Sequence, residues 1–133
     1  MKEKVFFKNK DIKMAGEIHY PVDFDKSKKY PSIVITHPGG GVKEQASRLY
    51  GAKLAEKGFI ALAFDASYQG ESGGELRFLE DPASRVEDIR SAIDYLVTLP
   101  YIDENRIGAM GICAGGGYSI SAAQTEYRKP LRV

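Results

Sequence analysis

The hydrophobic pattern of the chain changes character along its length. Weak alternation over residues 3–9 (EKVFFKN) and 14–21 (MAGEIHYP) predicts a short antiparallel pair of strands. Three continuous apolar runs follow, at 33–35, 59–64 and 106–112. Continuous runs of this kind are typical of strands that are buried on both faces of a sheet.

Two helices are predicted between the apolar runs. The first carries apolar residues at helical spacing and ends near Gly58; these residues are Ala46, Leu49, Tyr50 and Leu54. The second begins with Asp81 as a capping residue and Pro82 in its first turn, and ends before Pro100. Its apolar stripe consists of Val86, Ile89, Ile93, Leu96 and Val97. Strands that alternate with helices predict an α/β fold, with a mostly parallel sheet, flanking helices and an N-terminal antiparallel hairpin.

Length and composition set the class of protein. The 133 residues suffice for a single domain, 1–133, and 43% hydrophobic with 28% charged residues is ordinary for a soluble protein. A net charge of +1 gives no reason to expect binding to nucleic acid or to a membrane surface. One cysteine, no signal-peptide pattern and no long apolar stretch favour a cytoplasmic location.

No cofactor or metal is predicted. The run AGGGYS at 114–119 lacks the spacing of a dinucleotide fingerprint, and the sequence contains no GK[ST] phosphate loop. Two histidines and one cysteine, widely spaced, form no metal-binding cluster.

Three unusual segments follow the three buried runs. These are HPGGG at 37–41, DASYQGES at 65–72 and Cys113. Ligands of parallel α/β sheets bind beyond the carboxyl ends of the strands, so the three segments are expected to be neighbours there.

Cys113 lies between Gly111 and Gly115, where an apolar run ends and a helical pattern begins. A nucleophile on a tight strand-to-helix turn needs small residues two positions before and after it. The helix dipole there favours a thiolate, and the N–H of Ala114 would face an oxyanion. A lone cysteine is often only a small buried hydrophobe, but the strand before, the helix after and the glycine loop favour a nucleophile elbow.

Four stretches resemble the N-terminal part of an α/β-hydrolase, closest to dienelactone-hydrolase-like and X-Pro dipeptidyl-peptidase-like bacterial hydrolases. They are VITHPGGGVKEQ, FDASYQGESGGELRFLEDP, VEDIRSAIDYLVTLPYID and RIGAMGICAGGGY, within residues 30–120. The resemblance implies that Cys113 is the nucleophile and that the N–H groups of Ala114 and Gly39 form the oxyanion hole. It also implies hydrolysis of an ester, thioester or amide carbonyl, with a small-molecule or acyl substrate as the partner.

The same resemblance places His37 in the oxyanion loop rather than as the catalytic base. With Gly40, Asp65, Tyr68 and Gln69, His37 is expected to shape the substrate site. Plainer interpretations stay open for three of these residues. Asp65 can serve only to tie down its loop, and Tyr68 and Gln69 can simply be exposed.

The sequence departs from the family pattern in two ways. Dienelactone hydrolases place a glutamate near the oxyanion loop, whereas THPGGG contains no acid, so lactone specificity does not carry over. In the family the acid and the histidine of the triad follow the nucleophile, but here only Glu126 and no histidine follow Cys113. The chain therefore reads as a truncated α/β-hydrolase fold with weak or no activity.

Other expectations follow if the fold is truncated. The open edge of the strand at 106–112 would allow self-association. Alternative functions are a non-catalytic fragment or interaction module, and a redox sensor that uses the thiol of Cys113. Asp88 and Arg90 are expected on a solvated helix face, and His19 on the surface or on a strand.

Overall fold

The computed structural model describes residues 1–38, 42–44, 46–112, 118–120, 122 and 131–132. Within these residues the strands are β1 (Lys2–Asn9), β2 (Ile12–His19), β3 (Tyr30–Thr36), β4 (Ile60–Phe64), β5 (Ile102–Gly111) and β6 (Leu131–Arg132). The helices are α1 (Ala46–Glu56) and α2 (Pro82–Val97).

The strands form one mixed sheet in the order β1-β2-β4-β3-β5-β6. The N-terminal hairpin β1–β2 is antiparallel, and β2 also runs antiparallel to β4. The strands β4, β3, β5 and β6 run parallel to one another. The predicted α/β class, with its N-terminal hairpin and mostly parallel sheet, is confirmed.

Alternation along β4 separates the two faces of the sheet. Ile60, Leu62 and Phe64 belong to the main apolar core, together with residues of β1, β2 and α2. The intervening Ala61 and Ala63 are equally buried and point to the opposite face. Because their side chains are small, helix α1 can pack closely on that face.

Helix α1 forms where it was predicted, but two of the four apolar residues that predicted it do not face the sheet. Leu49 and Tyr50 are exposed, whereas the buried residues are Ser47, Gly51 and Ala55. A Cβ on Gly51 would lie 2.9 Å from His19 Cδ2, closer than the two atoms can approach. The helix therefore packs through a row of small residues, which brings its backbone close to β2.

Helix α2 begins at Pro82 and buries the predicted residues Ile89, Ile93 and Leu96. Asp81 occupies the N-cap position, where its carboxylate accepts the Ser84 hydroxyl at 2.8 Å rather than a backbone N–H. Asp88 was expected on a solvated face, and this was wrong, because its residue surface is 1% exposed. Arg90 is half-buried and pairs with Glu87.

The edge of the sheet at β5 and β6 also differs from expectation. The strand β5 begins at Ile102, several residues before the apolar run that predicted it. Its edge is partly covered, since β6 pairs with it in parallel through Ile107↔Leu131 and Gly108↔Arg132. The expectation that this edge of the strand is open was therefore wrong where β6 pairs with it.

Candidate active site

The candidate site lies where three parallel strands end. Thr36, the last residue of β3, is in register with Phe64 of β4 and with Gly111 of β5. The N–H of Ile112 donates to the Thr36 carbonyl at 3.2 Å, which carries the pairing one residue beyond β5. The segments that begin at residues 37, 65 and 113 therefore follow adjacent strand ends.

His37 is 1% exposed, and backbone groups engage both of its ring nitrogens. The N–H of Ala66 donates to Nε2 at 3.0 Å, so this nitrogen is the unprotonated one. The proton is then on Nδ1, which donates to the Pro38 carbonyl at 2.7 Å. Burial lowers the pKa of His37, and the nearby Arg85 guanidinium lowers it further. The ring is thus a fixed neutral group that joins the segments after β3 and β4.

Asp65 is fully buried at the end of β4, where its carboxylate accepts three hydrogen bonds. Oδ1 accepts the Lys43 N–H at 2.7 Å, and Oδ2 accepts the Glu71 N–H at 2.8 Å and Lys43 Nζ at 3.0 Å. Two of these donors are backbone groups, as in the plainer interpretation that Asp65 ties down its loop. Asp65 also holds Lys43, which lies after the glycine loop.

Lys43 has a fully buried ammonium group at the centre of three carboxylates. Besides Asp65, its Nζ contacts Glu44 and, at 2.7 Å, Glu71. Burial alone would lower the pKa of Lys43, but these carboxylates outweigh it and hold the pKa above its ordinary value. Oxygens of the three acids lie within 4.8 Å of one another, and the lysine supplies the cation that such a cluster needs.

The loop after β4 is held closely to the β1–β2 hairpin. Ser72 Oγ donates to the Asp65 carbonyl at 2.6 Å and accepts the N–H of Ala15 at 2.9 Å. Gly70 has φ +49°, and a Cβ at that position would lie 2.4 Å from Asp65 Oδ2. A left-handed glycine at this point lets the backbone turn tightly around the carboxylate.

Tyr68 and Gln69 belong to this folded loop. Tyr68 is half-buried with φ +72°, and its carbonyl accepts the N–H of Phe78 at 2.8 Å. Gln69 is buried, and its Nε2 donates to the Leu79 carbonyl at 3.1 Å. Both residues tie the loop to the segment at 76–79, and their contact with substrate stays a prediction.

Asp88 is a buried member of the site's supporting structure that the helix pattern missed. Its carboxylate accepts Asn9 Nδ2 at 2.7 Å, and the N–H of Ser67 at 2.8 Å together with the Ser67 hydroxyl. Burial raises the pKa of Asp88. The sequence signal was present in retrospect, since Asp88 precedes the buried Ile89 and lies one turn before Ala92 on the apolar side of α2.

Arg85 is the other residue that the sequence reasoning missed. It is 2% exposed, and its Nη2 donates to the His37 carbonyl at 2.5 Å. Its guanidinium carbon lies 4.9 Å from the centre of the Tyr118 ring, and its Nε lies 3.3 Å from Glu80 Oε2. A buried arginine one turn into a helix is not distinguishable by spacing from a solvated one.

Four predicted site residues lie outside the described residues: Gly39, Gly40, Cys113 and Ala114. Pro38 and Ile112 are the last described residues before these four, and they fix the points from which the two segments start. Residues 118–120 are helical, as expected for the helix after Cys113.

This strand order, with the segments after β3, β4 and β5 at one edge of the sheet, is that of an α/β hydrolase. The sequence model of the dienelactone hydrolase family matches residues 19–129. The chain therefore belongs to the dienelactone hydrolase family, as the resemblance of its motifs implied.

Individual relatives are similar over nearly the whole chain. The uncharacterized protein YcjY of Escherichia coli (strain K12) is 56% identical over 131 residues, which cover 96% of this chain and 43% of that protein. The crystal structure of the hypothetical protein PA2218 from Pseudomonas aeruginosa superposes with a TM-score of 0.90 at 41% identity, covering 95% of this chain and 39% of that one. A thiohydrolase of Eupenicillium brefeldianum is 29% identical over 105 residues, covering 79% of this chain and 34% of that protein.

The chain thus spans about two fifths of the length of the first two of these relatives. Among the residues that the structure describes, no helix has the length and apolar character needed to cross a membrane.

Proposed function

We propose that this chain carries the nucleophile and oxyanion hole of a hydrolase that acts on an ester, thioester or amide carbonyl. Cys113 is the nucleophile, and the backbone N–H groups of Ala114 and Gly39 stabilise the oxyanion. The observation that carries the proposal is the register of Thr36 with Gly111, extended by the hydrogen bond from Ile112 to Thr36. Cys113 is the residue after Ile112, and Gly39 lies three residues after Thr36.

The proposed chemistry begins when the Cys113 thiolate attacks the carbonyl carbon. A C–S bond forms, and the carbonyl electron pair moves to oxygen, where the two N–H groups bind it. The oxyanion then collapses and the bond to the leaving oxygen, sulfur or nitrogen breaks, with a proton taken from water to give the alcohol, thiol or amine. An acyl-cysteine remains for water to hydrolyse. The thiohydrolase among the relatives supports thioesters as one substrate class.

His37 does not supply the general base in this proposal. Its Nε2 already accepts the Ala66 N–H and its Nδ1 donates to Pro38. Because both ring nitrogens of His37 are engaged in this way, we expect acylation of Cys113 by activated esters, followed by slow deacylation. His37, Gly40, Asp65, Tyr68 and Gln69 shape the substrate site through the loops they belong to.

The test uses the only cysteine of the chain, so that any thiol label reports on Cys113. Iodoacetamide labelling across pH should give a thiol pKa well below the free value of about 8.5. On the same sample, p-nitrophenyl acetate should release p-nitrophenolate in a burst of one equivalent. Cys113→Ala should abolish the burst, whereas Met110→Leu, a matched change in β5, should preserve it.

Two results would contradict the proposal. One is a thiol with the free pKa and no burst. The other is ester cleavage that persists unchanged in Cys113→Ala. A thiol of low pKa that forms a stable sulfenic acid with peroxide but is never acylated would instead favour the redox-sensor alternative.

A further inference from the structure

Arg85 connects the start of the glycine loop with the helix that follows Cys113. The Arg85 cluster consists of Arg85, His37, Glu80 and Tyr118. Arg85 Nη2 binds the His37 carbonyl at 2.5 Å, and its Nη1 lies 3.1 Å from His37 Nδ1 and 3.3 Å from Nε2. The other side of the guanidinium faces the Tyr118 ring, with 4.9 Å between the guanidinium carbon and the ring centre.

Glu80 closes the cluster on its outer side. Its Oε2 lies 3.3 Å from Arg85 Nε and accepts the Tyr118 hydroxyl at 3.2 Å. The carboxylate thus orients both the arginine and the aromatic ring. One third of the Glu80 side chain is exposed, whereas the Arg85 side chain is only 3% exposed. A buried guanidinium is costly to desolvate, and it is retained where its fixed planar donors hold specific groups.

The two residues that Arg85 joins flank the proposed oxyanion donors. His37 precedes Gly39 by two residues, and Tyr118 follows Ala114 by four. An oxyanion hole works only when its donors are held in place before the charge develops. A displacement of about 1 Å in such a site can cost a factor of roughly one hundred in rate.

We propose that Arg85 is a positioning residue for the oxyanion hole, which it serves by fixing the His37 peptide against the helix that carries Tyr118. This inference rests on the proposed function of Cys113. It assigns Arg85 no contact with substrate, because its described contacts are with protein groups and its side chain is buried. The guanidinium donates from Nη2 to the His37 carbonyl while its plane lies near the Tyr118 ring, so lysine is not an equivalent replacement.

The experiment compares two reactions of the same thiol. Acylation of Cys113 by p-nitrophenyl acetate passes through an oxyanion, whereas alkylation by iodoacetamide does not. In Arg85→Met we expect the acylation rate constant to fall at least about tenfold. The alkylation rate constant and its pH profile should stay within about twofold. Arg85→Lys should recover only a small part of the acylation rate.

Tyr118→Leu provides a second variant that leaves the buried arginine in place, and it should lower acylation selectively by about threefold. The matched control is Arg90→Met, on the same helix, where the arginine pairs with Glu87 at 2.5 Å. That variant should change neither rate constant. Circular dichroism at the assay temperature verifies that each variant is folded.

The outcomes separate the two proposals. If the wild-type thiol is acylated but Arg85→Met and Tyr118→Leu are acylated equally fast, the role of Arg85 is refuted and the nucleophile stands. If acylation and alkylation fall together in both variants, Arg85 has only a general structural role and the inference is overturned. If the wild-type protein is acylated no faster than a free thiol, the proposed function fails, and the inference fails with it.

Discussion

The buried histidines give the chain a pH-dependent stability. Burial lowers the pKa of His37, and burial also lowers the pKa of His19 below its ordinary value of 6.5. Below that value the unfolded chain binds protons that the folded chain does not, so stability falls as the pH falls from about 6.5. Glu17 affects the stability only at a lower pH, because its pKa lies below its ordinary value of 4.5.

Urea unfolding at several pH values tests this dependence. The free energy of unfolding should be constant above neutrality and decline between about pH 6.5 and 5. His37→Gln and His19→Gln should each flatten part of the decline, even though each variant is less stable overall. A wild-type protein whose stability rises over that range would contradict the assignment of neutral, buried rings.

Asp65 is expected to be the most sensitive carboxylate of the site. Asp65→Asn removes the charge that faces the buried Lys43 ammonium, and it turns an amide N–H₂ toward backbone donors. Loss of the only partner of a buried charge costs about 3–5 kcal/mol. Lys43 keeps Glu44 and Glu71, so we expect a smaller loss of about 1–3 kcal/mol. Asp81→Asn is the control, because that carboxylate accepts only the Ser84 hydroxyl among its described contacts. Equal stability of the two variants would count against the role of Asp65.

Residue chemistry could be predicted where it depends on chain neighbours and not where it depends on distant ones. The loop that Asp65 ties down was visible as a local pattern, whereas the glycine pattern around Cys113 lies outside the described residues and stays a prediction. The burial of Asp88 was overlooked although Asp88 lies on the apolar side of α2, because the partners of its carboxylate, Asn9 and Ser67, are far away in the sequence. Arg85 was missed for the same reason, since the His37 carbonyl that it binds belongs to another strand end.

At the scale of elements, α1 shows that helical spacing does not identify the buried face. The exposed Leu49 and the buried Ala55 make a matched pair on this helix. Leu49→Gln should change the free energy of unfolding by less than about 0.5 kcal/mol. Ala55→Gln should lower it by about 1–3 kcal/mol, since a longer polar side chain would be forced between helix and sheet.

Thermal or urea denaturation of the two variants measures this difference. A larger effect at Leu49 than at Ala55 would mean that α1 packs through its apolar residues after all. The elements themselves were predictable, because buried parallel strands and the stripe of α2 have strong patterns. The packing face of α1 was not, since three small residues carry little hydrophobic signal.

At the scale of the whole molecule, the edge of β5 remains the expected route of self-association. On this side of β5, the pairs between described residues are Ile107 with Leu131 and Gly108 with Arg132, and none involves 109–111. Light scattering after size-exclusion chromatography should show a mass that rises with protein concentration. A monomer that is stable across dilution would contradict this expectation. The two-residue β6 was itself unpredictable, because so short a strand has no periodicity.

The attachment of the β1–β2 hairpin has a consequence for how the chain acquires its structure. Asn9 meets Asp88, and Ala15 meets Ser72, at sequence separations of 79 and 57 residues. During translation the hairpin leaves the ribosome well before the segments that it holds have been made. Contacts between such distant positions also slow the search for the native topology. The loop around Asp65 is therefore expected to become ordered late, after both hairpin and α2 have been synthesised and docked.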